Sequence, residues 1–455
     1  MDIWLTLTAL IFLLSRAILW IILGVRYDAS SLIWAWQLLD PLWLRKDLLT
    51  SLWNMHMQPP LFNLLTAVAL RFPSPSHLLA PLFFAMGMGT SLLLYGVGVR
   101  SGLSRPLSFA VVSLVFTFNP SSFLYETWYF YTYPSLFLTV LLSYLLLRLN
   151  DGLTVRRLLP PFIALTLLTL LRSSYHLLLF PLLGGVLLWH HRRRWRIIFA
   201  VVLLTSLPTA AWYLKNFALF GNFSATSWTG MNLSRLIWNM PGWERETFLK
   251  LHEEGVVSAL MTVPPFSPPE TYASLLNWSG STGVAVLDSM REPTTGSPNY
   301  NHAVYPKVSR ILLRDNLNLV LRFPLAYLRA ILSSLKHFTY PPYAYPLTGR
   351  FHLLFDRENL KRIYGLRLLI RLYDALYGWL GRKLPGITTL LLLLAFLLLL
   401  PGMIRRRDVA PVAVLLLYLL VVHVALERKE NMRFKFQFEG VITTVVLANF
   451  LKRRR

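Results

Sequence analysis

An all-α protein that crosses a membrane about ten times is what this sequence predicts, and three observations predict it. Apolar runs approaching the ~20 residues that a bilayer requires recur along the chain. The 455 residues are 55% hydrophobic, with a mean hydropathy of +0.50. The Lys and Arg behind the formal charge of +24 fall in short clusters between the apolar runs. Clusters so placed follow the positive-inside rule, which makes anionic lipid headgroups their neighbours rather than nucleic acid, and no nucleic-acid-binding module is visible. There is no cysteine, so disulfides, thiol catalysis and cysteine-ligated metals are excluded.

Ile3 to Val25 opens the chain. It is too long for a signal-peptide core and is followed by no small-residue cleavage pattern, which makes it a retained first span. Further spans are expected near Leu78 to Val99, Pro106 to Ser122, Tyr133 to Leu147, Leu158 to Leu171, His176 to Trp189, Ile197 to Leu214, Pro385 to Ile404, Val409 to Leu426 and Phe438 to Leu451. With a cytoplasmic N-terminus, five basic clusters fall on the cytoplasmic side with both termini: Arg100/Arg105, Arg148/Arg156/Arg157, Arg192/Arg193/Arg194/Arg196, Arg405/Arg406/Arg407 and Lys452/Arg453/Arg454/Arg455. A segment as short as Leu158 to Leu171 must tilt, break or re-enter. The chain divides into an N-terminal catalytic membrane module (1–214) with a long first outer loop (26–77), an extracytoplasmic segment (215–384) rich in Pro, Gly, Ser, Thr and Trp, and C-terminal membrane helices (385–455).

In the first outer loop, "MHMQPPLFNLL" breaks the backbone and restarts it. Two prolines forbid a helix running through them, yet proline in a first turn gives up only an amide that would be orphaned anyway, so Pro59 and Pro60 begin a new helix. Before "RFPSPS" interrupts it, that helix is too short to span and belongs in the membrane interface. Two later stretches share the interfacial pattern. Asn316 to Lys336 carries Arg322, Arg329 and Lys336 every seven residues on one helical face, and Lys361 to Lys383 carries Arg367 and Arg371 one turn apart. Snorkelling to headgroups is the simplest role for these cations.

Everything else polar gathers at the outer boundary: Asp28, His56, Glu126, Arg172, Lys215, Glu430 and Arg433. An ionisable side chain at membrane depth costs roughly 2.5–3.5 kcal/mol on insertion scales, so a set of them is a functional hypothesis. Carboxylates take protons from hydroxyls, and cations neutralise a phosphate leaving group; apolar helices and aromatics suit a lipid tail. Each residue also has a plainer reading. Asp28 caps a helix, His56 is a hydrogen-bonded structural histidine, Arg172 snorkels, Lys215 and Arg433 anchor span ends, and the aromatics of "YETWYFYTYP" form an interfacial belt rather than a sugar-stacking surface.

The order of these motifs resembles the C-type (GT-C) membrane glycosyltransferases, a class that includes protein O-mannosyltransferases and the lipid A aminoarabinose transferase. "RYDASS" looks like the family's acidic residue in the first outer loop, "HMQPPLFNLL" its juxtamembrane helix, and "FNPSSFLYETWYFYTYPSLF" the stretch before the fourth span. "TLLRSSYHLLLFPLL", "KNFALFGNFSATSWTGMNL" and "ENMRFKFQFEG" are similar to its later motifs. The resemblance implies a GT-C-like fold and inverting transfer of a sugar from a polyprenyl-phosphate donor to a hydroxyl of a lipid, glycan or protein acceptor. Asp28 is then the general base and Glu126 a second catalytic carboxylate. His56, Arg172, Lys215, Asn216, Glu430 and Arg433 are then the substrate-binding set. A divalent metal shared by Asp28, His56 and Glu126 is compatible with the family. Here, however, Ala29 follows Asp28 and Gln58 precedes Pro59 where many relatives are charged, so a metal is not expected to be essential and no cofactor is assigned. A bacterial inner membrane is the expected location. A transporter or flippase of an anionic lipid or solute is the alternative; its usual marks are repeats and midplane charges, whereas these charges gather at one surface.

Overall fold

Asp2 caps the first apolar run through its carboxylate, which accepts from Trp4 N at 3.1 Å. Helix α1 (Ile3–Ala17) follows and is extended by a π-helical turn, Ile18–Ile22, in the computed structural model. The structure describes residues 2–240, 242–343, 357–378, 386–428 and 430–452. The first loop folds into three short helices, α2 (Ser31–Trp34), α3 (Pro41–Lys46) and α4 (Leu48–Trp53), and then α5 (Pro60–Ala69), with Pro59 as its N-cap and Pro60 in its first turn. Long α6 (Ser76–Ser101) leads to α7 (Arg105–Val112), the π turn Ser113–Thr117 and α8 (Pro120–Glu126). After the aromatic stretch come α9 (Thr132–Arg148), α10 (Val155–Leu171), α11 (Leu179–His190) and α12 (Trp195–Phe220). The outer segment holds α13 (Thr229–Ile237), α14 (Arg245–Glu253), α15 (Pro269–Leu276), α16 (Ala285–Asp288), α17 (Val304–Arg322), α18 (Pro324–Thr339), α19 (Arg357–Tyr364) and α20 (Arg367–Gly378). Helices α21 (Ile387–Arg405), α22 (Ala410–Ala425) and α23 (Asn431–Lys452) complete the chain. Among the described residues there is no strand, only the isolated bridges Asp28↔Trp128 and Arg291↔Pro298.

The chain is a helical membrane protein. Helix occupies all ten expected segments, with Pro385 outside the described residues, but among the described residues five helices are long and apolar enough to cross a bilayer outright: Ile3–Ile22, Ser76–Ser101, Thr132–Asp151, Arg192–Phe220 and Ile387–Arg405. A sixth crossing would be the pair Arg105–Thr117 and Pro120–Glu126, bent by 56° where Asn119 and Pro120 interrupt it. The others fall short for visible reasons. At 1.5 Å per residue, the 12 residues of α11 and 16 of α22 do not reach across ~30 Å of hydrocarbon. Helix α10 begins at Arg156 and Arg157, and α23 carries Arg433, Lys435 and Glu439 in its first half.

The basic clusters meet at one end of the bundle. Arg105 faces Asp2 at 3.5 Å and Arg100 faces Asp151 at 3.1 Å. Asn150 Nδ2 donates to Asp408 O at 3.1 Å, Lys452 lies 3.9 Å from Asp408, and Arg407 reaches His191 at 3.1 Å. Asp2 and Lys452 thus share this end; residues 453–455 lie outside the described chain. Helices α1, α10, α12 and α22 run away from it, whereas α6, α9, α11, α21 and α23 run toward it. The far ends of these helices, with the loops between them, carry the candidate site.

Two expectations about the outer segment change. Asn316 to Lys336 is not one helix: the chain turns at Phe323, and Pro324, lacking an amide, starts α18 in its first turn. The described part of Lys361 to Lys383 is likewise two helices, parted at Gly365, with 379–383 outside the described residues. The 214/215 boundary also falls inside a helix, because α12 continues to Phe220 before Gly221 (φ +68°) ends it.

A second apolar core lies apart from the bundle core. Leu39, Trp43, Met55, Met57 and Ala67 of the first loop pack with Trp228, Met231, Phe248, Tyr272, Val304 and Leu312 of the outer segment. Gly230 permits the closest approach here, since a Cβ on it would sit 1.9 Å from Ser309 O. At the edge of this core, burial pushes the Glu292 carboxyl up to about 7, and neighbouring Asp40 adds to the effect. A carboxyl with a raised folded-state pKa opposes folding once ionised. Its cost is absent below the unfolded value near 4.5, grows as pH rises, and is complete above about 7. Thermal midpoints measured between pH 5 and 8 should therefore fall less steeply in Glu292→Gln than in the wild type. Parallel profiles would refute the assignment.

Candidate functional site

Three arginines and two glutamates from separate elements converge beyond the ends of α10 and α22. Arg172, the C-cap of α10, is buried, and its Nε donates to Ser174 Oγ at 2.9 Å. Its guanidinium lies 4.2 Å from the Tyr131 ring centroid and 4.3 Å from that of Phe434. Arg433, in the first turn of α23, donates to Tyr131 Oη at 2.9 Å and Thr132 Oγ1 at 3.2 Å, and pairs with Glu430. It shares the same two rings, 5.1 Å from Tyr131 and 4.7 Å from Phe434. Arg235 of α13 approaches Glu430 at 3.8 Å. Burial raises the Glu427 carboxyl from its ordinary value against the pull of Arg235 and Arg172. Burial works the same way on Glu430, but the Arg433 and Arg235 charges outweigh it and hold that carboxyl low. Two like-charged guanidiniums held on common aromatic faces, with positive charge in excess, form an anion site.

The motif that breaks before Pro59 ties this cluster to a second one. Gln58 Oε1 accepts from Ser173 Oγ at 3.3 Å, beside Arg172. His56 lies with Nδ1 2.6 Å from Ser227 Oγ, and its backbone amide donates to Asn301 Oδ1 at 2.9 Å. Burial, then the nearby Lys215 charge, lowers the imidazole to about 3, so it is neutral. Its Nε2 is buried without a hydrogen-bond partner among the described residues. Lys215 Nζ donates to Met55 O at 2.5 Å and sits 3.6 Å from the Trp212 ring centroid. Asn216 Nδ2 donates to Ser224 O at 2.8 Å. Lys215 and Asn216, expected among the substrate contacts, instead hold the Met55–His56 backbone and the loop after α12. They lie on the last turns of that helix, and the chain folds back over them at Gly221.

Asp28 and Glu126 meet through backbone and part through side chains. Asp28 N donates to Thr127 O at 2.7 Å and Asp28 O accepts from Tyr129 N at 2.9 Å. From Tyr129 to Tyr131 the chain can extend no more than about 7 Å, so Asp28 is anchored close to the arginine cluster. Its carboxylate is half-buried, has no ion-pair partner among the described residues, and accepts from Ser30 N at 2.8 Å through Oδ1. Glu126 turns the other way, into the bundle. Arg16 Nη2 lies 2.7 Å from its Oε2, Arg16 Nε reaches both oxygens, and Tyr133 Oη donates to Oε2 at 2.7 Å. Both side chains of this pair are 1% exposed. The second catalytic carboxylate expected at Glu126 is thus the buried partner of an arginine that the motif reading passed over. Its oxygens are already engaged, His56 belongs to another cluster, and no group of three His, Asp or Glu gathers among the described residues. Asp28, His56 and Glu126 therefore do not fit a shared metal, and no step is derived through one.

A groove of about 690 Å³ between α11 and α12 is lined by Phe180, Phe199, Leu203 and Tyr213, and closes near His176 and Thr226. His176 Nδ1 lies 2.8 Å from Tyr418 Oη, which donates to Ser174 O at 3.0 Å. Ser174 in turn holds Arg172. The apolar groove is thus linked to Arg172 through His176, Tyr418 and Ser174. Helix α5 braces the opposite side, with Phe62 stacked on Tyr129 at 4.9 Å and Thr66 Oγ1 2.7 Å from Tyr129 Oη. Motif reading also missed Arg235, Glu427 and His423; the buried ring nitrogens of His423 have no partner among the described residues, and its ring stacks on Phe434 at 4.8 Å. A histidine and an acid at the end of an apolar run were the available signals.

Fold and site together define a helical membrane protein with a buried, arginine-rich side-chain cluster at one end of its bundle. No protein-family model, curated protein or solved structure matches this chain significantly.

Proposed function

We propose that the chain is a membrane glycosyltransferase of the GT-C type, moving a sugar from a polyprenyl phosphate to an acceptor hydroxyl at the non-cytoplasmic face, with all ten helical segments crossing or entering the bilayer and both termini cytoplasmic. One observation carries this reading: Arg172 and Arg433 share the Tyr131 and Phe434 rings in a buried cluster that the hydrogen-bonded series His176, Tyr418 and Ser174 links to the end of an apolar groove. Paired guanidiniums suit a phosphate, and an apolar groove suits a long hydrocarbon tail. A bacterial inner membrane is the setting this substrate implies.

In this mechanism Asp28 takes the acceptor's hydroxyl proton as the oxygen attacks the anomeric carbon. The new C–O bond forms with inversion, and the bond to the phosphate oxygen breaks. The electron pair leaves on the phosphate, where Arg172 and Arg433 stabilise it.

The test uses purified protein in lipid nanodiscs with radiolabelled polyprenyl-phosphate sugars and measures release of polyprenyl phosphate. Arg172→Ala should lower kcat/KM about 10- to 100-fold, the worth of a charge-assisted hydrogen bond. A melting curve of the variant separates this loss from a loss of folding, since the buried guanidinium also rests on the Tyr131 and Phe434 rings. A flippase would move the labelled lipid between leaflets with its sugar bond intact, and that outcome would replace this proposal.

A further inference from the structure

At the opposite end of the bundle, where the basic clusters meet, lies a cavity that the proposed chemistry does not touch. It measures about 240 Å³ and sits between α21 and α23. Leu399, Gly402, Met403 and Arg406 line it from one face of α21, at steps of three and four residues, and Asn449 and Lys452 line it from the last turns of α23. Its floor is apolar and its rim cationic, and Gly402 adds no side chain to fill it.

Polar contacts fix the rim. Arg406 Nε donates to Asp408 Oδ1 at 3.1 Å, and its other nitrogens pair with Asp408 Oδ2 and Asn449 Oδ1. Among the described residues these bonds do not use every N–H of the guanidinium. Lys452 stands farther from the same carboxylate, at 3.9 Å, with its side chain 45% exposed. Two cations thus share one acid, and Arg405 and Arg407 flank Arg406 in the chain, so positive charge is in excess.

The surface leading up to the cavity shows what else its ligand meets. Leu391, Leu394 and Leu398 climb α21 toward Gly402 at steps of three and four residues, and they are 59%, 53% and 67% exposed. Helix α21 is long and apolar enough to cross the bilayer outright, so this strip faces acyl chains, and the cavity lies where the strip reaches the basic end. A soluble anion would satisfy the rim alone. A lipid satisfies the rim, the apolar floor and the strip together.

We propose that this cavity binds an anionic phospholipid of the leaflet at the basic end, with its phosphate between Arg406 and Lys452, its glycerol over Gly402 and an acyl chain along Leu398, Leu394 and Leu391. Guanidinium N–H groups match phosphate oxygens, and a basic pocket between membrane helices suits an anionic headgroup. The lipid bridges α21 to α23. This site does not depend on the transferase reading.

The chain has no cysteine, so Leu398→Cys in the full-length protein can carry a single fluorophore beside the cavity. The protein is placed in phosphatidylcholine nanodiscs, and quenching by phosphatidylglycerol brominated on its acyl chains is compared with quenching by brominated phosphatidylcholine at the same mole fraction. Phosphatidylglycerol should quench more strongly. Lys452→Gln should weaken its apparent affinity about fivefold, the worth of one basic residue beside an anionic headgroup. Gly402→Leu, which fills the cavity and keeps every charge, should abolish the excess. Arg105→Gln, which removes an exposed cation of the same end from outside the cavity, should leave it unchanged. A melting curve of each variant verifies folding, and the exposed Lys452 keeps the test decisive if Gly402→Leu does not fold. Equal quenching by the two lipids overturns the site, as does an excess unchanged in Lys452→Gln. An excess that falls as far in Arg105→Gln also overturns it, since diffuse surface charge would then suffice. Displacement of the lipid by millimolar glycerol phosphate would assign the rim to a soluble phosphate and overturn the lipid as its ligand.

Discussion

Asp28→Asn should reduce sugar transfer by about 10²–10⁴-fold, the usual contribution of a general base, while leaving the protein as stable as before. The separation of the two effects follows from what the side chain touches. Its Oδ1 accepts from Ser30 N, which the amide oxygen of asparagine also does, and the backbone bonds to Thr127 and Tyr129 are independent of the side chain. Only basicity is lost. Donor affinity should also survive, because Arg172 and Arg433 hold the phosphate, so the loss belongs to kcat. Initial rates with saturating donor and a melting curve on the same preparation give both quantities. Turnover within a few-fold of the wild type would remove Asp28 from the base role.

Much of this organisation was legible in the residues, because the features concerned are local. Apolar run length predicts helices, and helix occupies all ten segments, though Pro106 to Ser122 is broken at Asn119 and Pro120. Paired prolines predict a break and a restart, and α5 begins at Pro60. Basic clusters after alternate runs predict a common end, and ion pairs such as Lys452–Asp408 and Arg100–Asp151 show it. Arg172, Glu430 and Arg433 come together because each sits at the far end of its helix. What stayed hidden depends on which face of a helix a residue occupies and on what approaches it from elsewhere. Lys215 lies on the turn of α12 that faces Met55 rather than the arginines. Arg235 matters only because the outer segment packs with the first loop in one core, which composition does not disclose. Periodicity over Asn316 to Lys336 predicts one helix, because a seven-residue cationic repeat carries on across Pro324 while the backbone does not.

The same distinction explains how Asp28 and Glu126 can be neighbours and still not act together. Thr127, immediately after Glu126, is where the first loop attaches, so the two acids are adjacent along the hydrogen-bonded backbone. Helix α8, however, ends at Glu126 with its carboxylate aimed at α1 and α6; a Cβ on Gly87 would lie 2.8 Å from Glu126 Oε2. Fixing the end of α8 from inside the bundle fixes the segment that follows. That segment bonds Asp28 and presents Tyr131 and Thr132 to Arg433.

Glu126→Ala should for that reason destabilise the protein by about 3–5 kcal/mol, far more than Asp28→Asn, because it strands a buried guanidinium. Arg16 is held on every side. Nη1 donates to Thr117 O at 2.7 Å and Ser15 Oγ at 3.0 Å, and the Phe12 ring centroid lies 4.1 Å from the guanidinium carbon. Thr117 closes the π turn, where helix ends leave carbonyls without amide partners, so Arg16 satisfies one of these. Water cannot replace the carboxylate there, and the charge would be left in a medium of low dielectric. Removing both charges is different: Arg16→Met with Glu126→Leu takes away the cation and the anion together and should lie closer to the wild type than Glu126→Ala alone. Thermal unfolding in one detergent of the wild type, Glu126→Ala and the double variant measures the order. If Glu126→Ala melts with the wild type yet loses transfer, its carboxylate acts on substrate after all and the buried pair is not what orders the site.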